Sequence, residues 1–224
     1  MSGLATAEDA ARLRANPVSR RLVAAQLVLL AALGQRAPAD TAAGAAGTAV
    51  PLSNGANALD ILGDGTPGQV FVAWRGNYNA HGFRTIAFHV LAKSDLGRDR
   101  VLWQNVPFFG GPNDGPAGRE AHRTREGADC VLGDLRVVRP TQGPIEVVVA
   151  DREMGRSFAD TAPVRFYYYR LARNTDADAG RPPYYFELFR TVPAKRPYCD
   201  VNEAFQQELA LGTDGAGRAE TGKR

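Results

Sequence analysis

Phe166-Tyr167-Tyr168-Tyr169-Arg170-Leu171 and Tyr185-Phe186-Glu187-Leu188-Phe189-Arg190 are the two stretches that decide the fold of this 224-residue chain. Both are dominated by aromatic side chains, which suit a pleated, half-buried surface. In the second, alternation puts Phe186, Leu188 and Arg190 on one face and Tyr185, Glu187 and Phe189 on the other, the period of two that a strand requires. Residues 174–183, between them, are rich in Asp, Ala and Gly and end in Pro-Pro, which cannot continue a ladder. The two runs therefore read as hairpin partners joined by a surface loop.

Moving outward, further Val-, Ile-, Phe- and Tyr-rich runs occupy residues 69–74, 85–91, 101–109, 131–138 and 145–150, most of them bounded by Gly, Pro, Asn or Asp. That spacing predicts an antiparallel β-sandwich or barrel. A single helix is expected over residues 202–211, with Asp200 as N-cap, Glu203 in the first turn, an apolar stripe of Ala204, Phe205, Leu209 and Leu211, and Gly212 as the stop. Residues 57–212 are thus expected to form one mainly β domain. Residues 40–56, low in complexity at 41–50, read as a flexible leader, and residues 213–224 as a disordered tail.

The N-terminus has the order of a secretory signal. Arg20-Arg21 precedes an apolar run over residues 22–34 that only Gln26 interrupts, and Ala37-Pro38-Ala39 offers a cleavage site. Residues 1–39 form the expected signal peptide. The run is too short for a comfortable membrane span, so no stable span is expected after cleavage and the mature protein is expected in the periplasm or outside the cell. Residues 1–39 hold five Arg against two acids, which accounts for the whole formal charge of +3 and leaves the body neutral. A neutral body argues against nucleic acid as a partner. Two cysteines, Cys130 and Cys199, allow one intramolecular disulfide in an exported chain, with two unpaired buried thiols as the alternative.

Catalytic motifs are missing from the sequence. None of the five serines lies in G-x-S-x-G, there is no S-x-x-K, and His81, His89 and His122 are not in H-E-x-x-H. The expectation is a protein that binds and does not catalyse. Asp60-Ile61-Leu62-Gly63-Asp64-Gly65 resembles the calcium turn of FG-GAP-type repeats, but Leu62 and Gly68 stand where oxygen ligands belong. With Asp60 and Asp64 alone the loop is short of the six to eight oxygens calcium takes. It reads as a tight turn, and no cofactor is expected.

The binding residues are sought in Trp74-Arg75-Gly76-Asn77-Tyr78-Asn79-Ala80-His81-Gly82-Phe83, where planar polar groups alternate with aromatics between two strands. Arg75 would read a carboxylate, Trp74 and Tyr78 would form apolar walls, and Asn77, Asn79 and His81 would orient the ligand. The alternative is an Asn-rich turn whose amides bond their own backbone. Residues 110–129, with Arg119-Glu120-Ala121-His122-Arg123-Thr124-Arg125-Glu126, read as a long solvated loop of mixed charge.

The turn at 73–83, together with Val101-Leu102-Trp103-Gln104-Asn105-Val106-Pro107-Phe108-Phe109, Glu126-Gly127-Ala128-Asp129-Cys130 and Tyr198-Cys199-Asp200-Val201-Asn202-Glu203-Ala204-Phe205, resembles the CarG-type carbapenem self-resistance proteins. The likeness spans about residues 59–211. It implies a periplasmic, β-rich protein that protects against carbapenems without being a known β-lactamase, and it supplies no catalytic residues. The partner is then a small molecule or a periplasmic protein. Two other readings stay open: an envelope protein-interaction module anchored by the long loop with Tyr168 and Tyr184, and a glycan-binding sandwich. Neither the ligand nor the oligomeric state follows from the sequence.

Overall fold

About half of the described residues form strands, in the order β1 (Gly47–Val50), β2 (Gly55–Ala58), β3 (Gly68–Arg75), β4 (Phe83–Lys93), β5 (Val101–Asn105), β6 (Phe108–Phe109), β7 (Ala121–Arg123), β8 (Arg125–Glu126), β9 (Val131–Pro140), β10 (Glu146–Arg152), β11 (Val164–Arg173) and β12 (Tyr184–Pro193), followed by helix α1 (Val201–Leu209). This computed structural model describes residues 47–79, 81–93, 100–127 and 129–212, so the expected signal peptide and C-terminal tail lie outside the described residues.

The strands form two sheets. One runs β1-β9-β10-β11-β12-β6, with β8 on the same edge of β9 as β1; the other runs β2-β3-β4-β5, with β7 beside β5 along β4. Every pairing is antiparallel except β12 with β6. Neither sheet closes on itself, so of the two expected architectures the structure is the sandwich. The expected hairpin is β11 with β12.

Both faces of the larger sheet are covered. Leu135, Val137, Val147, Val149, Tyr169 and Phe186 meet Val70, Val72, Ile86, Phe88 and Val90 of the smaller sheet. On the opposite face, Val148, Ala150, Phe166 and Tyr168 meet Val201, Ala204 and Phe205 of α1. A strand buried on two faces has no polar side to show, which is why the run at 166–169 is aromatic without interruption. Tyr168 is accordingly buried under the helical layer and is not the exposed anchor that the sequence offered; Tyr184 is half-buried.

Four other expectations change. Alternation in β12 does not run through to Arg190: a bulge pairs Tyr169 with Leu188 but Tyr168 with Arg190, so the guanidinium crosses to the helix side and lies 3.8 Å from the Tyr168 ring centroid. The run at 101–109 breaks at Val106-Pro107, because a residue with no N–H cannot stay in the ladder; β5 belongs to one sheet and β6 to the other. The leader is shorter than expected, since β1 already pairs with β9 from Gly47↔Pro140 to Val50↔Val137. Gly47 is needed there because a Cβ would stand 2.4 Å from the Arg139 carbonyl oxygen. Finally, α1 stops before Gly212: Asp200 caps its start by accepting from Asn202 N–H at 2.7 Å, while Ala210 takes the left-handed conformation at its end.

Cys130 and Cys199 are joined in a disulfide. It ties the start of β9 to the segment entering α1. Asp200 adds to this tie by accepting from Val131 N–H at 3.3 Å.

Candidate functional site

The β3–β4 turn keeps its polar groups for itself. Asn77 Nδ2 donates to the His81 carbonyl at 2.6 Å, and His81 N–H donates to Asn79 Oδ1 at 2.9 Å. The amides bond their own backbone, which is the alternative the sequence left open. Tyr78, at φ 57, projects fully into solvent. The Trp74 indole lies over Gly82, where a Cβ would meet it at 2.2 Å. Arg75 lies over the Phe83 ring, 5.1 Å from its centroid. Of the six candidates only Asn77 and His81 line a described cavity, a shallow one of about 180 Å³ shared with Phe83, Leu132, Met154 and Phe158. The His81 ring packs against Phe158 with centroids 5.2 Å apart. Trp74, Arg75, Tyr78 and Asn79 stand outside that lining.

Asp60 and Asp64 are likewise committed to their turn. Asp60 accepts from Gly63 N–H at 2.8 Å and Gly65 N–H at 2.9 Å; Asp64 accepts from Thr66 N–H at 3.0 Å and from Arg173 at 2.9 Å. Among the described residues no cluster of three or more His, Cys, Asp or Glu is placed to hold a metal.

A larger cavity, about 420 Å³, opens where the sequence predicted only a solvated loop. Its volume lies within the ~300–1,000 Å³ usual for small-molecule sites. The loop is pinned from inside by Asp114, whose buried carboxylate accepts from Gly111 N–H at 2.9 Å, Arg119 Nε at 2.6 Å and the Tyr169 hydroxyl at 3.0 Å. Beyond it, residues 119–126 alternate as strand residues do. His122 and Thr124 turn inward and are buried, whereas Arg123 and Arg125 stay exposed. That period of two was legible in the sequence, but with charged and polar side chains in place of apolar ones it carried no hydrophobic signal.

Asn113, Arg119, His122, Arg123, Arg125, Asp151, Tyr167 and Tyr169 supply the polar lining of this cavity. Arg125 pairs with Asp151 and also donates to the Arg152 carbonyl at 2.8 Å. Burial raises the Asp151 carboxyl above its ordinary value despite Arg125. Burial and the Arg119 guanidinium push the His122 imidazole down to about 3, so the ring is neutral near pH 7. Arg119 Nη1 lies 3.1 Å from His122 Nδ1. A guanidinium only donates, hence Nδ1 accepts and Nε2 carries the ring hydrogen. That Nε2–H is buried with no hydrogen-bond partner among the described residues. The cavity thus combines three guanidinium groups with one carboxylate, and Arg123 and Arg125 also line the smaller cavity, forming a wall common to both.

Behind the site, Asp134 binds Arg84 and Arg136, each at 2.9 Å, joining β4 to β9. Burial pushes its carboxyl upward, but Arg136 and Arg84 outweigh burial and hold it below the ordinary range.

A family model described as "Carbapenem resistance protein CarG-like" matches residues 52–207. No curated protein matches the chain. Among solved structures, the crystal structure of CarG is similar at a TM-score of 0.58 and 26% identity, covering 74% of this chain and 99% of that one. The family match takes in every strand but β1, both of these cavities and most of the helix, and the chain belongs to the CarG-like family of carbapenem resistance proteins.

Proposed function

We propose that this chain is an exported protection protein that acts on carbapenems by binding, without covalent chemistry. The observation that carries the reading is the cavity of about 420 Å³, whose polar lining is held in place by neighbours. Asp114 fixes Arg119, Asp151 fixes Arg125, and Arg119 fixes the His122 ring. Prepositioned donors reduce the ordering cost of binding. Family membership supplies the ligand class, the signal-like N-terminus supports export, and the lack of a serine or zinc hydrolase motif in the sequence favours binding over turnover.

Two measurements test it. In a sensitive bacterium, the carbapenem concentration that stops growth is compared for the full-length chain and for one lacking residues 2–39. Protection with the leader alone is expected; equal protection from both chains overturns the requirement for export. Purified protein is then incubated with excess meropenem while the ultraviolet absorbance of its ring system is followed. The absorbance is expected to persist, and its progressive loss overturns the binding-only reading in favour of hydrolysis.

A further inference from the structure

The smaller cavity, about 180 Å³, holds one charge that the described residues leave unanswered. Its lining contains two arginines and one glutamate, and two of these three are committed: Arg125 pairs with Asp151, while Glu126 accepts from Arg84 Nε at 3.2 Å and from the Thr124 hydroxyl at 2.9 Å. Arg123 has no carboxylate among the described residues. Its Cζ lies 3.6 Å from the ring centroid of Phe83, which belongs to the same lining. Stacking occupies a face of the guanidinium and leaves the N–H donors along its edge available. The opposite wall gives a second observation. Leu132 is buried, but Met154 and Phe158 are 51% and 40% exposed. Large apolar side chains left in water beside an unmatched cation mark a place where a ligand would cover them. The segment that carries them is fixed from beneath by Arg152, a buried guanidinium that donates to the Phe158 and Cys199 carbonyls, each at 3.1 Å, and to the Ser157 carbonyl at 3.3 Å. Both walls are therefore in place before a ligand arrives, which lowers the ordering cost of binding.

We infer that this smaller cavity is a binding site for a compact, mainly apolar molecule bearing one carboxylate, which Arg123 receives while Phe83, Leu132, Met154 and Phe158 take the apolar body. Guanidinium is the side chain best matched to a carboxylate. One uncommitted cation specifies one anion, because a second would be stripped of water against the apolar wall with no partner. The site goes beyond the carbapenem reading, since its ligand needs no lactam. Arg75 stacks on Phe83 from β3, at 5.1 Å, but stands outside the lining, and so provides the comparison that separates this site from a diffuse positive field.

The test uses the whole mature chain with benzoate, phenylacetate and cyclohexanecarboxylate as probes, each beside its uncharged amide. Met154 is the only methionine after residue 1, so its methyl resonance is a single NMR reporter placed in the cavity wall. At least one of the acids is expected to shift that resonance saturably, and its amide to bind about tenfold or more weakly, the loss expected of a charge-assisted contact. Arg123→Gln should weaken the acid by a similar factor and Arg75→Gln by clearly less. Met154→Glu, which sets an anion at the rim, should abolish binding, followed in that variant through the Leu132 methyl groups. Melting temperatures of the Arg123 and Met154 variants should stay close to the parent's, since that guanidinium has no carboxylate partner among the described residues and Met154 is half exposed. The assignment is overturned if no acid moves the Met154 methyl, if Arg123→Gln binds as tightly as the parent, or if Arg75→Gln loses as much as Arg123→Gln. An amide that binds as well as its acid overturns the carboxylate. None of the probes has a lactam, so each of these results leaves the carbapenem reading to its own measurements.

Discussion

His122 is a buried imidazole kept neutral. In the unfolded chain its ring titrates near the ordinary ~6.5, whereas in the fold it does so at about 3. Below the first value the unfolded chain takes up a proton that the folded chain refuses, so this residue adds nothing above ~6.5 and lowers stability progressively as pH falls toward 3. Chemical unfolding followed between neutral pH and about pH 4.5 should show that loss, and His122→Asn should flatten it; an equal slope in the variant would show that the imidazole is not the source. Asp134 makes the opposite use of burial. Its carboxylate is the shared counter-ion of Arg84 and Arg136, and Arg136 also reaches Asn202 and the Leu211 carbonyl. Asp134→Asn keeps the shape but leaves buried cations uncompensated, and urea unfolding should register a loss of ~3–5 kcal/mol. A loss under ~1 kcal/mol would mean that water reaches the guanidinium groups more freely than their burial implies.

Among the elements, α1 offers the clearest dependence on one side chain. Asp200 accepts from Asn202 N–H inside the helix and from Val131 N–H across the sheet. Asp200→Ala should therefore lower stability by ~1–2 kcal/mol, at the upper end for an N-cap, and thermal melts would measure it; a change of a few tenths would mean that water replaces the cap. The helix and its cap were legible because capping chemistry is local. So were β3, β4 and β9 to β12, whose side chains report burial directly. The four strands absent from the sequence reading share another property: β1, β2, β7 and β8 are made of small or charged residues. They are strands because a neighbouring edge presents unpaired N–H and C=O groups, and nothing in their own composition encodes that edge. The site was half legible for the same reason. Arg75 was named from its local pattern, but Arg123 belongs to β7, so its approach to Phe83 depends on a pairing invisible in one sequence.

At the scale of the whole molecule, the larger sheet is the middle layer, with the smaller sheet on one face and α1 on the other, and one covalent link reinforces the helical side. The Cys130–Cys199 disulfide closes a chain separation of 69 residues. By the loop-entropy account a link of that span contributes ~4 kcal/mol. Reduction, or the paired change Cys130→Ser and Cys199→Ser, should lower the melting temperature markedly, and differential scanning calorimetry with and without reductant would show it. An unchanged transition would mean that burial of Phe205 and Val201 alone holds the helix in place.

The switch of sheets at Pro107 also bears on the order of assembly. β5 completes the edge of the smaller sheet, and a few residues later β6 lies parallel to β12, the last of the described strands, through Phe186↔Phe108 and Glu187↔Phe109. The edge laid down by β6 therefore waits for a strand synthesised some eighty residues later. Contacts so distant in sequence close late and slow the search. A nascent chain cut short before β12 would leave Phe88 and Phe108 without Phe186, whose ring packs on both. Folding after release of the complete chain is the natural course for such a topology, because no earlier stretch takes the place of β12 beside β6.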